Sequence, residues 1–250
     1  MPRCEGLAYD RGGGDGPLLV LIHGLGATAG VWSSMLARPR WHGRWIAPDL
    51  PGHGGSDRGG DYSVDALAAA VGDLIEAERG GEEVTILGHS LGGLVAIALA
   101  GTELPVRATY GLGIKVDWTD EELQRFAGLA ARPPKLFDSE ADALAQHRRL
   151  CGLGDVPLDS PLLARGAVMQ DGGWRAAVDM AAFAVQRPRM AELVAAARCP
   201  ARLACGEGDA MISAERLRDF DGTAFAIEAA GHNAMVDAPG AVWDWLKATP

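Results

Sequence analysis

Apolar positions along this chain follow two periodicities. Leu18–Ile22 is an unbroken apolar run that stops just short of Gly24. A run this short, without alternation, fits a strand covered on both faces of a parallel sheet. Residues 45–47 and 84–87 have the same character, and a further strand is predicted over Val106–Leu112. Between 45–47 and 84–87, the residues Val64, Leu67, Ala68, Val71, Leu74 and Ile75 keep helical spacing behind Ser63, and Gly80-Gly81 closes the helix. Strand, helix, strand is the unit that joins parallel strands. A second apolar helix is predicted over Leu91–Ala100. The pattern returns near the end of the chain, with strands at 201–205 and 224–227. A short helix behind Ser213 covers 214–220, and a last helix carries Val242, Trp243 and Leu246.

Residues 115–197 differ, because only helical signals are visible there. Thr119-Asp120-Glu121-Glu122 has the form of a capping box, with Leu123, Phe126, Ala127 and Ala130 on one face behind it. Pro133-Pro134 breaks that helix, Ser139 starts another, and Gly152 ends it. Helical patches are expected again around 162–169 and 174–185. Roughly 80 residues is far beyond an ordinary crossover. The expectation is a helical cap over 115–197, inserted into a parallel-sheet core formed by 1–114 and 198–250.

Composition narrows the picture. The chain has 250 residues, 48% of them apolar and 22% charged, enough to bury a sizeable core in one large domain. Its formal net charge of -10 argues against a nucleic-acid partner, which needs clustered Lys and Arg. Cys4, Cys151, Cys199 and Cys205 show no zinc-site spacing. The opening Met1–Gly6 lacks an apolar stretch, and no apolar run is long enough for a membrane helix. A cytoplasmic protein with no membrane association, no metal and no organic cofactor is expected.

The chemistry is concentrated in short motifs. Gly88-His89-Ser90-Leu91-Gly92 is a G-x-S-x-G pentapeptide between a predicted strand and a predicted helix. That context holds a serine on a strained turn at the sheet edge, with the helix N-terminus aimed at a developing oxyanion. His23-Gly24-Leu25-Gly26 ends an earlier strand. The backbone N–H groups of Leu25 and Leu91 are the candidate oxyanion donors. A dinucleotide-binding loop fits poorly, since Ala29 stands where the third glycine of G-x-G-x-x-G belongs.

Three further segments complete a pattern. Asp49-Leu50-Pro51-Gly52-His53-Gly54-Gly55-Ser56 has the form D-x-P-G-x-G-x-S, Gly206-Glu207-Gly208-Asp209 follows a strand, and Gly231-His232-Asn233 precedes Ala234-Met235-Val236-Asp237-Ala238-Pro239. With these motifs the chain resembles the α/β-hydrolase fold superfamily over nearly all of its length outside the insertion. The resemblance implies Ser90 as nucleophile, His232 as general base and Asp209 as the acid, in the order that fold uses. It also implies that Asp49 and His53 are structural. Asp117, after the strand Val106–Leu112, and Glu207 remain open as alternative acids. His23 and His89 read as packing or hydrogen-bonding residues, His42 and His53 as loop residues, and His147 as part of a solvated helix face.

A serine at the elbow excludes the carboxylate-nucleophile chemistries of related folds. The resulting expectation is a hydrolase that cleaves a small to medium apolar carboxylic ester through an acyl-enzyme. A thioesterase or lactonase, a carbon–carbon hydrolase, a cofactor-free perhydrolase and a non-catalytic ligand-binding member of the fold are the alternatives. Trp118, Phe126, Met169, Trp174, Phe183 and Met211 are the candidate pocket residues, and no Arg or Lys cluster forms an evident anion clamp.

Overall fold

The structure is a computed structural model and describes residues 1–248. Its chain order is β1 (Arg3–Cys4), β2 (Leu7–Gly13), β3 (Leu18–Ile22), α1 (Ser33–Leu36), β4 (Arg44–Pro48), α2 (Val64–Glu78), β5 (Val84–His89), α3 (Leu91–Ala100) and β6 (Val106–Leu112). An inserted segment follows, with α4 (Asp120–Ala130), α5 (Glu140–Leu150), β7 (Ala167–Gln170), β8 (Gly173–Ala176) and α6 (Met190–Ala196). The chain closes with β9 (Ala201–Gly206), α7 (Ala214–Leu217), β10 (Phe225–Ile227), α8 (Ala234–Asp237) and α9 (Pro239–Ala248).

Eight strands form one sheet in the order β1-β2-β4-β3-β5-β6-β9-β10. From β4 to β10 all neighbours run parallel, while β2 pairs antiparallel with β4. The unbroken run of β3 has a simple cause. Leu18, Val20 and Ile22 enter the core under α2 and α3, whereas Leu19 and Leu21 enter the opposite core with Trp32, Met35 and Trp243. Helices cover both faces, so both sets are buried. The result is the α/β-hydrolase architecture, a mostly parallel sheet flanked by helices.

β2 did not stand out in the sequence. Only Leu7, Ala8 and Tyr9 of that strand are buried, and its polar, glycine-rich second half lies at the sheet margin. The insertion corrects a second expectation, because it is not purely helical. Residues 162–169 and 174–185 form two short 3-10 turns and the β7–β8 hairpin instead of helices. Arg165 and Asp171 adopt positive φ there, which ends helical progression. Phe137 adds a third row to the hairpin, exchanging backbone hydrogen bonds with Trp174 at 2.7 and 2.8 Å.

The insertion is tied to the sheet edge by polar contacts. The Arg165 guanidinium donates to both oxygens of Asp49 and to both of Asp10. The Gly54 N–H donates to Ala177 O, and the Asp179 N–H to Gly52 O, each at 2.7 Å. Tyr62 donates to Asp179 at 2.6 Å. His147 corrects a third expectation, since it is fully buried rather than solvated. Neither of its ring nitrogens has a hydrogen-bond partner among the described residues, and burial pushes its pKa down to about 4. No described helix is long and apolar enough to cross a membrane.

Candidate active site

The elbow is built by close approach. Ser90 sits between β5 and α3 with φ 51° and ψ -116°, a conformation that costs on the order of 1–3 kcal/mol for a residue with a side chain. Its N–H donates to Leu112 O at 2.8 Å, and its carbonyl accepts the Gly93 N–H at 2.9 Å. A Cβ on Gly88 would lie 2.0 Å from Gly92 O, and one on Gly92 would lie 2.3 Å from Ile22 O. Only glycine fits either position, which accounts for the G-x-S-x-G spacing in physical terms.

The candidate acid and base follow two later strands of the parallel sheet. Asp209 follows β9 and His232 follows β10, so both stand at the same carboxyl edge as Ser90. The Asp209 side chain is fully buried, and its Oδ2 accepts from His232 Nδ1 at 2.9 Å. Its Oδ1 accepts the Met211 N–H at 2.8 Å, so both oxygens are used. The two loops touch closely, since a Cβ on Gly206 would lie 2.1 Å from Gly231 O. With Nδ1–H directed at Asp209, His232 Nε2 is the nitrogen able to accept a proton. His232 and Ser90 line one cavity, although no hydrogen bond joins them among the described residues. Such bonds in unliganded sites often close only around substrate.

The alternative acids are placed elsewhere. Asp117 is exposed and holds Arg216 through two hydrogen bonds of 2.8 and 3.0 Å. Glu207 is exposed to solvent. His89 is buried against His232, and its Nε2–H donates to the His232 carbonyl at 2.9 Å. Leu25 and Leu91 both line the cavity. No acceptor engages the Leu25 N–H among the described residues, and Leu91 is the first residue of α3, where the N–H has no intrahelical partner.

The cavity has a volume of about 460 Å³. Trp118, Phe126, Phe183 and Met211 line it, as the sequence led us to expect. Met169 and Trp174 do not. Met169 is 52% exposed on the outer hairpin, and Trp174 is its register partner. The expectation that placed them over the site assumed helices where the chain forms strands. Several wall residues escaped sequence reasoning, among them Leu94, Leu150 and Cys151. Burial raises the Cys151 thiol to about 12, so it is an apolar surface and not a nucleophile. Asn233, next to His232, also faces the cavity, and its amide donates to Cys151 O and Gly152 O at the end of α5.

The mouth collects charge from segments far apart in the chain. Lys115 pairs with Glu122 at 2.6 Å, Arg189 with Asp65 at 3.1 Å, and Arg187 with Asp120. Arg125 and Arg149 line the same mouth, Arg125 over the Phe126 ring at 5.9 Å and Arg149 donating to Gln146 at 2.8 Å. Sequence spacing gave no hint of this basic rim, because its members become neighbours only after folding.

Known proteins share these features to different extents. An uncharacterised protein of Mycobacterium tuberculosis (strain ATCC 25618 / H37Rv) is 47% identical over 88 residues, covering 35% of this chain and 26% of that protein. A pimeloyl-[acyl-carrier protein] methyl ester esterase of Aeromonas salmonicida (strain A449) is 40% identical over 92 residues, covering 36% of this chain and 34% of the esterase. The chain thus matches about a quarter to a third of the length of these two relatives. The crystal structure of an esterase from Mycobacterium tuberculosis superposes with a TM-score of 0.76 at 22% identity, covering 99% of this chain and 88% of that one. The family model described as "Alpha/beta hydrolase family" matches residues 19–245, a span that contains the elbow, the acid loop and the histidine loop, and the chain belongs to that family.

Proposed function

We propose that this chain hydrolyses carboxylic esters of small to medium, largely apolar substrates through an acyl-enzyme on Ser90. The observation that carries the reading is the hydrogen bond of 2.9 Å between the buried Asp209 carboxylate and His232, which lines the same cavity as a serine strained just after β5. Ser90 Oγ attacks the ester carbonyl while His232 Nε2 takes its proton. Asp209 holds the imidazole tautomer and stabilises the imidazolium. The carbonyl oxygen, now an oxyanion, accepts from the Leu25 and Leu91 N–H groups. Collapse breaks the bond to the leaving alkoxide, which departs as alcohol with the proton from His232. Water then attacks the acyl-enzyme, again giving its proton to His232, and the acid and free Ser90 are released. The protein family and the esterase relatives support hydrolysis; the ester bond and the apolar substrate rest on the cavity wall.

A serine-directed phosphonate tests the nucleophile. One label on Ser90, and loss of ester turnover in Ser90→Ala, are the expected results. Labelling elsewhere, or turnover surviving in Ser90→Ala, overturns the assignment. A rate panel of esters, thioesters, lactones and half-esters ending in a carboxylate then ranks the bond and the acyl group. The half-esters belong in it because Arg125 and Arg149 bring positive charge to the cavity lining. Labelling without turnover of any member would favour a ligand-binding role.

A further inference from the structure

Two buried histidines outside the Ser90–His232–Asp209 set make reciprocal contacts around Leu25. His23 lies in the loop after β3, and His53 in the loop after β4; both are fully buried. Their rings meet edge to face with centroids 5.1 Å apart. His23 Nδ1 lies 2.7 Å from Gly24 O, and His23 Nε2 lies 2.9 Å from the Leu50 N–H. His53 Nδ1 lies 3.0 Å from Pro51 O, and His53 Nε2 lies 3.0 Å from the Gly26 N–H. A carbonyl can only accept and a backbone N–H can only donate. Both rings are therefore neutral, with the proton on Nδ1 and an acceptor at Nε2. Burial lowers both pKa values, that of His23 to about 3, so neither ring is charged near neutral pH.

These contacts fall on the two peptide planes that flank Leu25. In a planar trans peptide the C=O and N–H point in opposite directions. The Gly24–Leu25 plane carries Gly24 O on one edge and the Leu25 N–H on the other. Gly24 O accepts from the His23 Nδ1–H at 2.7 Å and, more weakly, from the Ala27 N–H at 3.2 Å, and the direction they fix sets that of the Leu25 N–H. The Leu25–Gly26 plane carries the Gly26 N–H, which His53 Nε2 holds. The loop bearing His53 is itself fixed from outside, because Asp49 accepts the Ala29 and Gly55 N–H groups and Gly54 pairs with Ala177. We propose that His23 and His53 are positioning residues for the oxyanion loop, each imidazole pinning one of the two peptide planes that aim the Leu25 N–H. The inference rests on the reading of Leu25 as an oxyanion donor.

The two roles use different nitrogens, so conservative substitutions separate them. Asparagine reproduces an Nδ1–H donor, and glutamine reproduces an Nε2 acceptor. His53→Gln keeps a partner for Gly26, whereas His53→Asn keeps only the bond to Pro51. The reverse holds at position 23, where His23→Asn keeps the donor to Gly24 O and His23→Gln keeps only the acceptor for Leu50. The expected result is a crossed pattern. His53→Asn and His23→Gln should lose about 10- to 100-fold in kcat on a small ester, with KM within about twofold, as a misaimed oxyanion donor would give. His53→Gln and His23→Asn should recover most of that loss, and the rate of phosphonate labelling of Ser90 should follow the same order. Equal effects of Asn and Gln at each position, or a change confined to KM, would mean the histidines merely fill space.

A second measurement needs no substitution. Nitrogen-15 correlation spectra of the intact wild-type protein should show the Nδ1–H tautomer for both rings, and an Nε2–H tautomer at either overturns the proposal. Wild-type protein that resists labelling at Ser90 defeats the acyl-enzyme reading itself. Labelling that is normal in wild type and equal in all four variants defeats only the brace.

Discussion

Two buried aspartates sit at the carboxyl edge of the same sheet, and their partners set them apart. Asp49, after β4, and Asp209, after β9, both have fully buried side chains. Asp49 accepts four hydrogen bonds, from the Ala29 and Gly55 N–H groups and from Arg165 Nε and Nη2. Arg165 is always charged, and it donates two further hydrogen bonds to Asp10. That site is closed, and nothing in it can carry a proton to a substrate. Asp209 accepts from the Met211 N–H and from His232, whose imidazole lines the cavity. Burial of a carboxylate therefore does not mark catalysis. On the proposed mechanism, what sets Asp209 apart is a partner whose far nitrogen faces the open cavity.

The sharpest way to break the comparison is to neutralise each aspartate. On the proposed mechanism, Asp209→Asn leaves His232 in the wrong tautomer and should lower kcat by about 10⁴, with little change in Tm. Asp117→Asn and Glu207→Gln should stay close to wild type; a crippled Asp117→Asn would move the acid to the loop after β6. At the other aspartate the effect should appear in stability. Arg165→Ala strands a buried carboxylate and should cost about 3–5 kcal/mol in urea unfolding, while the folded fraction still labels at Ser90. A loss under about 1 kcal/mol would show that Asp49 does not depend on this ion pair.

Acid titration sharpens the same contrast. Burial alone would raise the Asp49 pKa, but hydrogen bonds and charge from Arg165 outweigh it and leave it lowered. The unfolded chain has an Asp pKa of about 3.9. Stability from this pair is thus complete above about pH 4 and is lost as pH falls through the lower folded value. The urea midpoints of wild type and Asp49→Asn should converge below that pH. His147 acts at higher pH. Its folded pKa is about 4, below the usual value of about 6.5, so its contribution is complete above that value and fades as pH falls toward the folded one. His147→Leu removes two unpartnered nitrogens and should flatten the pH dependence of stability between those limits by roughly one proton, or about 1.4 kcal/mol per pH unit. An unchanged slope would mean that His147 is already hydrated.

The smallest expected effect concerns the cavity wall. Each CH₂ buried beside Phe126 and Phe183 should contribute about 0.8 kcal/mol, close to fourfold in kcat/KM, until the cavity is full. Phe126→Ala or Phe183→Ala should shift the preferred acyl length toward longer chains without slowing the labelling of Ser90 by a small phosphonate. A flat chain-length profile would remove apolar burial as the source of specificity.

The sheet core was legible in the residues because its determinants are local. An apolar run as short as Leu18–Ile22 has one stable use, and glycines at 88 and 92 announce a turn that no other residue can make. The motif order Ser90, Asp209, His232 carried the candidate site for the same reason. The inserted segment was less legible. Periodicity favoured helices at 162–169 and 174–185, but tertiary contacts imposed a hairpin, and Met169 and Trp174 moved away from the cavity with it.

Charge and hydrogen bonding between distant segments were invisible for a deeper reason. The Asp49–Arg165 ion pair spans 116 positions, and the histidine brace joins loops separated by β4. The same holds for the fully buried His147, which sequence alone placed in solvent. Composition and spacing determined which strands form, where the serine turns and which residue types could do chemistry. Only the tertiary structure decided which aspartate faces an imidazole, which histidines stay neutral and which aromatics line the cavity. Those outcomes depend on desolvation and on the direction of individual N–H and C=O groups, and neither exists until the chain has closed around them.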